Sequence, residues 1–123
     1  GTSAQAGGPA DALGAQEKAL EAEVLLLLGR FQEAAEACTA VLAMGGAGHV
    51  EARLARGCCW SALGELERAF EDHREALMLA PARVDVHEAS GDLFFKHRYF
   101  AEAVTAYNTA AKITEPVPAR LIY

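Results

Sequence analysis

The chain has 123 residues, 52% of them hydrophobic and 23% charged, with a formal net charge of −6 at pH 7. That is too apolar for a disordered tail and suits one domain with one continuous core. Seventeen acidic residues against eleven basic ones argue against nucleic acid, which needs clustered cations, and the longest aliphatic run, Val24 to Leu28, is far below the roughly 18 residues of a membrane span.

The chain starts Gly1-Thr2-Ser3, with no Met and no charged-then-apolar leader. Residues 1–10 therefore read as disordered or as a processing or cloning remnant, ahead of a fragment excised from a longer protein. A first helix is expected near Asp11 to Leu28, with Leu20, Val24 and Leu27 at helical spacing. Gly29 ends it, and a second helix runs near Phe31 to Met44. Gly45-Gly46-Ala47-Gly48 joins two helices and lacks a following strand or basic residue, so it reads as a stretched turn and not as a phosphate loop; His49 stands alone in it.

The third helix is expected near Val50 to Leu63 and the fourth near Leu66 to Leu79, the latter with Phe70, Leu77 and Met78 in helical spacing. Gly64 separates them in the way Gly29 separates the first two, as a left-handed cap for orphan carbonyls. Pro81 cannot continue the fourth helix. The fifth and sixth are expected near Val84 to His97 and Phe100 to Ile113, with Arg98 where the other turns have glycine, which implies a small local strain or a slightly different turn. After them Pro116 and Pro118 make residues 116–123 an extended tail or the truncated start of a further helix. The face built by Phe100, Val104, Tyr107 and Ala111 would then lack its normal cover, which favours self-association or a homodimer.

One pattern recurs along these elements. Gly29-Arg30-Phe31-Gln32-Glu33-Ala34-Ala35, Gly64-Glu65-Leu66-Glu67-Arg68-Ala69-Phe70 and Arg98-Tyr99-Phe100-Ala101-Glu102-Ala103-Val104 are versions of one segment, and their anchoring alanines, Ala34, Ala69 and Ala103, lie 35 and 34 residues apart. A period of that length marks stacked helix-turn-helix units. Gly57 with Trp60, then Ala69, Ala76 and Pro81, and Gly91 with Phe94, then Ala103, Tyr107 and Ala110, fill the same slots. The first unit does so more weakly with Ala22, Leu25, Ala34, Cys38 and Val41. On these residues the chain resembles the tetratricopeptide repeat (TPR) family from about Gln16 to Thr114. The resemblance implies an all-α, right-handed superhelical TPR solenoid of three antiparallel helix pairs across residues 11–115, with units near 15–48, 50–83 and 84–115.

The slots carry a packing expectation. Leu25, Trp60, Phe94, Ala34, Ala69 and Ala103 should be buried between helices. Gly57, Gly91 and Ala22 stand mid-helix, where glycine costs roughly 1 kcal/mol against alanine, so a closely approaching partner helix is expected there.

The resemblance also implies a concave wall formed by the first helix of each unit. Its groove-facing residues would be Gln16, Ala19, Glu23, Leu26 and Leu27; Glu51, Leu54, Cys58, Ser61 and Ala62; and Asp85, Glu88, Asp92, Phe95 and Lys96. The chemistry is acidic with apolar patches, opposed by Lys96 and by Arg53 at the rim. Such a groove suits a basic or amphipathic peptide or helix, the carboxylates steering it and Leu27, Leu54 and Phe95 anchoring it. TPR domains that hold the C-terminal carboxylate of chaperones use Lys, Asn and Arg at positions where this chain has Ala19, Glu23, Ala55, Asp85 and Ala89, so that partner is not expected.

No reaction chemistry is legible. His49, His73, His87 and His97 are scattered, His73 and His87 in slots that suit partly buried packing residues. No HExxH or GxSxG is present, and no cofactor or metal is called for. Cys38, Cys58 and Cys59 are odd in number and lack metal spacing. They read as free thiols in a reducing compartment, cytoplasmic or nuclear, with Cys38 and Cys59 packed inside and Cys58 on the opposite helix face. The expected role is a scaffold or adaptor module for protein-protein interaction.

Overall fold

The computed structural model describes residues 9–44 and 49–114. Among them the chain forms six helices and no strand: α1 (Pro9–Leu27), α2 (Phe31–Ala43), α3 (Val50–Ala62), α4 (Leu66–Leu79), α5 (Val84–Lys96) and α6 (Phe100–Thr114). The expected helix ends are met to within two residues. The N-terminal leader, the glycine turn at 45–48 and the tail 116–123 lie outside the described residues. Where the composition suggests one core, the chain divides after Leu79 into two compact units.

In the first unit α1 packs on α2 and α3 on α4; α2 also packs on α3, and α1 touches it. The second unit is the α5–α6 pair. Within each pair the same turn joins the helices. Gly29 N–H donates to the Leu26 carbonyl and Arg30 N–H to that of Leu25, at 3.0 and 2.9 Å. Gly64 and Glu65 repeat this on Ser61 and Trp60, and Arg98 and Tyr99 on Phe95 and Phe94. Each is a Schellman cap, and its central residue must be left-handed. Gly29 and Gly64 adopt φ of 77° and 80°, and Arg98 is forced to 69°.

A left-handed conformation costs a residue with a Cβ roughly 1 kcal/mol or more. Arg98→Gly is therefore expected to stabilise the second unit by about 1 kcal/mol, less whatever glycine gains in the unfolded chain. A melting midpoint that stays put or falls would count against strain at this turn.

The helix pairs meet through small residues. Ala34 and Ala69 are fully buried and Ala103 nearly so. Leu25, Trp60 and Phe94 are only half-buried, a correction to the sequence expectation. Each is the carbonyl acceptor of its Schellman cap, so its large side chain sits at the turn end of the hairpin. Leu25 and Trp60 flank the cluster of Ala34, Ala35 and Cys59; Arg68 covers the Trp60 ring at 4.9 Å, and Tyr99 meets Phe94 edge-on at 6.5 Å.

The mid-helix glycines have the reason the sequence asked for. A methyl on Gly57 would stand 2.5 Å from His73 Cδ2, and one on Gly91 would stand 2.6 Å from Tyr107 Cε1. In the first repeat the same two positions are Ala22 and Cys38, packed in one cluster with Ala37. A smaller residue on one helix thus receives a larger one from the other in all three pairs.

A polar clamp reinforces the first unit. Arg56 of α3 donates through Nε and Nη2 to both carboxylate oxygens of Asp72 on α4, at 2.8 and 2.7 Å, and through Nη1 to Thr39 Oγ1 on α2 at 3.1 Å. Asp72 is 3% exposed, so the bidentate pairing is what makes its burial tolerable. The hydrogen bonds to Asp72 raise the guanidinium pKa further, against the opposing pull of burial.

Candidate functional site

Helix spacing places Gln16, Ala19, Leu20 and Glu23 along one side of α1, three and four residues apart. Together with Ala22 they line a cavity of about 420 Å³. Cys38 and Val41 of α2 form its floor, and His49 with Glu51, Ala52 and Ala55 at the start of α3 closes the far side. The floor is apolar and fully buried, while Glu23 and Glu51 stand exposed at the margin. An aliphatic stem with a cationic tip matches that arrangement.

His49, expected to stand alone, has a defined task. Its Nδ1 accepts from Ala52 N–H at 3.0 Å and so caps α3, and the same nitrogen lies 3.7 Å from Glu51 Oε1. Glu51 in the first turn also suits the positive end of the helix dipole. Of the residues assigned to the groove in this unit, Gln16, Ala19, Glu23 and Glu51 meet at the cavity, whereas Ser61 is buried. Leu27, Leu54 and Cys58 do not line it: Leu27 is 87% exposed, Leu54 half-buried and Cys58 exposed. Arg53, expected at the groove rim, instead points its Nη1 at Asp72, 3.9 Å away, with its side chain only 17% exposed.

The second unit carries the remaining assigned residues on α5. Asp85, Glu88, Asp92, Phe95 and Lys96 are all exposed, at spacings that share one side of a helix. Two of the acids are engaged locally. Arg83 donates to both oxygens of Asp85, at 3.0 and 2.5 Å, and this hydrogen bonding holds the carboxyl below its usual range. Tyr107 of α6 donates its hydroxyl to Asp92 at 2.5 Å, which pushes the phenol pKa up. Phe95 meets Phe100 edge-on with ring centroids 5.6 Å apart.

Other candidate groups have structural explanations. His73 is 3% exposed, and burial lowers its pKa to about 4, with Asp72 pulling weakly the other way. His87 donates through Nε2 to the Pro81 carbonyl at 2.8 Å. Burial pushes the Cys38 thiol up to about 12 and, with Cys58 nearby, that of Cys59 to about 11. Both are poor nucleophiles. Cys58 is the exposed thiol, as its helix face implied. Among the described residues no group of three or more His, Cys, Asp or Glu is placed to hold a metal ion, and no helix is long and apolar enough to cross a membrane.

No family model and no curated protein matches the sequence. Among solved structures, the crystal structure of MamA, a TPR-like protein, aligns with 89% of this chain at a TM-score of 0.72 and 17% sequence identity. This chain spans 61% of the MamA chain. At that identity the likeness is one of fold, and it agrees with the six helices in repeated hairpins: an all-helical chain similar to a TPR-type repeat protein.

Proposed function

We propose that this chain is a protein-interaction module that receives a basic, amphipathic segment of a partner against its first-helix surfaces. The observation that carries this reading is the cavity between α1, α2 and α3, with an apolar floor of Ala22, Cys38 and Val41 and a margin bearing Glu23 and Glu51. A Lys or Arg side chain lays its methylenes on the floor and its charge between the carboxylates. Leu27, Leu54 and Cys58 extend the surface on α1 and α3. Asp85, Glu88, Asp92, Phe95 and Lys96 give α5 a second surface of the same acidic and apolar kind. The fold likeness to MamA supports a helical-repeat interaction role, as scaffold or adaptor, and the absence of Lys and Arg among the described cavity-lining residues disfavours a carboxylate-terminated ligand.

Peptides selected from a random display library against this chain are expected to be enriched in Lys and Arg interleaved with apolar residues. Glu23→Lys with Glu51→Lys should weaken the best of them by about tenfold or more, since each lost ion pair is worth on the order of 0.5–1 kcal/mol. Added salt should weaken wild-type binding in the same direction. Peptides without basic enrichment, or binding indifferent to the double reversal, would refute the reading.

A further inference from the structure

Repetition allows one interface of the fold to be compared with its own ends. Inside the first unit α2 packs on α3, where Ala35 is 1% exposed and Cys59 0%; Ala55 of α3 packs beside the cluster that holds Cys38 of α2. Shifted back by one repeat, Cys59 and Ala55 fall on Val24 and Leu20 of α1. Shifted on by two repeats, Ala35 and Phe31 fall on Val104 and Phe100 of α6. There the same positions are bare: Val24 is 55% exposed, Leu20 61%, Val104 57% and Phe100 53%. Helix α1 thus carries the α3 half of an interface without its α2, and α6 the α2 half without its α3.

We infer that the α6 face of one molecule docks on the α1 face of a second copy, repeating between molecules the contact that α2 makes with α3 within one. Both halves reside on the same chain, which is why the occupant is another copy. The polar edge agrees. Where Arg56 donates to Thr39 across the internal contact, the shifted positions are Glu21 and Asn108, an acceptor facing an amide donor with the roles exchanged. Leucine and valine replace alanine and cysteine at three of the four positions, with phenylalanine kept at the fourth, so the two helices sit farther apart than α2 and α3 while burying more apolar area. The two faces differ, which makes the contact heterologous and open-ended, unlike a symmetric dimer. Leu20 also lines the cavity, whereas Val24, Val104 and Phe100 do not, and salt separates the two: screening the −6 charge strengthens association of like-charged copies while weakening basic-peptide binding.

Light scattering on the full 123-residue chain across a concentration series is expected to show an average mass that climbs without levelling at two copies, more steeply at higher salt. Val24→Glu and Val104→Glu should each be monomeric alone, and an equimolar mixture should form a one-to-one dimer and nothing larger, because each variant keeps the face the other has lost. Circular dichroism verifies folding; should either variant lose helicity, Leu20→Glu or Phe100→Glu replaces it on the same face. A wild-type chain that stays monomeric throughout overturns the inference. So does a Val24→Glu variant that still self-associates, which would mean α6 pairs with α6, and so does a mixture that remains monomeric.

Discussion

Ala69→Arg is expected to unfold the first unit, with a loss of about 3 kcal/mol or more. Ala69 is fully buried, and its carbonyl oxygen lies 3.4 Å from where a Cβ on Gly57 would stand, so the backbones of α3 and α4 already approach closely here. An arginine adds five heavy-atom shells and a charge to a seam sized for a methyl. Overpacking accounts for roughly 1–3 kcal/mol, and burial of an unpaired guanidinium adds several more unless the helices separate. The single tryptophan of the chain, Trp60 on α3, makes the effect readable in that unit alone. Its fluorescence should report an unfolded environment without denaturant, or a urea midpoint far below wild type. A soluble Ala69→Arg protein with the wild-type midpoint would mean that the repeat register is wrong. Ala62→Arg on the exposed end of α3 serves as the control and should leave the midpoint within about 0.5 kcal/mol of wild type.

Mild acid is expected to destabilise the first unit through His73. Burial brings its pKa in the folded chain down to about 4, from the ordinary histidine value of about 6.5, so the folded state resists a proton that the unfolded state accepts. Above pH 6.5 both states are neutral at this residue and it costs the fold nothing. As pH falls from 6.5 toward 4 the unfolded chain protonates first and stability drops; below about 4 both bind the proton and the loss levels off. At about 1.4 kcal/mol per pH unit the full loss is roughly 3 kcal/mol. Urea titrations read by Trp60 at pH 7 and at successively lower pH should trace it. His73→Tyr copies the Gly91–Tyr107 arrangement into the Gly57 position, and should flatten the curve in this window without unfolding the protein. Equal acid sensitivity in that variant would assign the effect to other groups.

The helices were legible because their punctuation is chemical. Gly29 and Gly64 announce left-handed caps, and alanines recurring at Ala34, Ala69 and Ala103 announce seams too narrow for anything larger. Even the turn lacking glycine was placed correctly, because the surrounding pattern forces Arg98 to φ 69°. The extent of burial at Leu25, Trp60 and Phe94 was not legible: period fixes the direction in which a side chain leaves its helix, but not how far a large one projects past the end of a hairpin. The acidic character of the candidate surfaces could be read from composition. Their partners could not, because Tyr107 reaches Asp92, and Arg53 and Arg56 reach Asp72, from neighbouring helices. The cavity beside Glu23 and Glu51 is likewise a product of three helices meeting, and no local signal announces it. Nor does any local signal mark the division after Leu79.

The hole-and-filler pairs Ala22 with Cys38, Gly57 with His73, and Gly91 with Tyr107 bear on how such a chain can vary over generations. Enlarging the hole residue first drives it into the side chain opposite, and shrinking the filler first leaves a void. Each route passes through a weakened intermediate, whereas a joint change conserves the volume shared by the two helices. The two positions are therefore expected to change together, and the three repeats of this chain carry three different pairs.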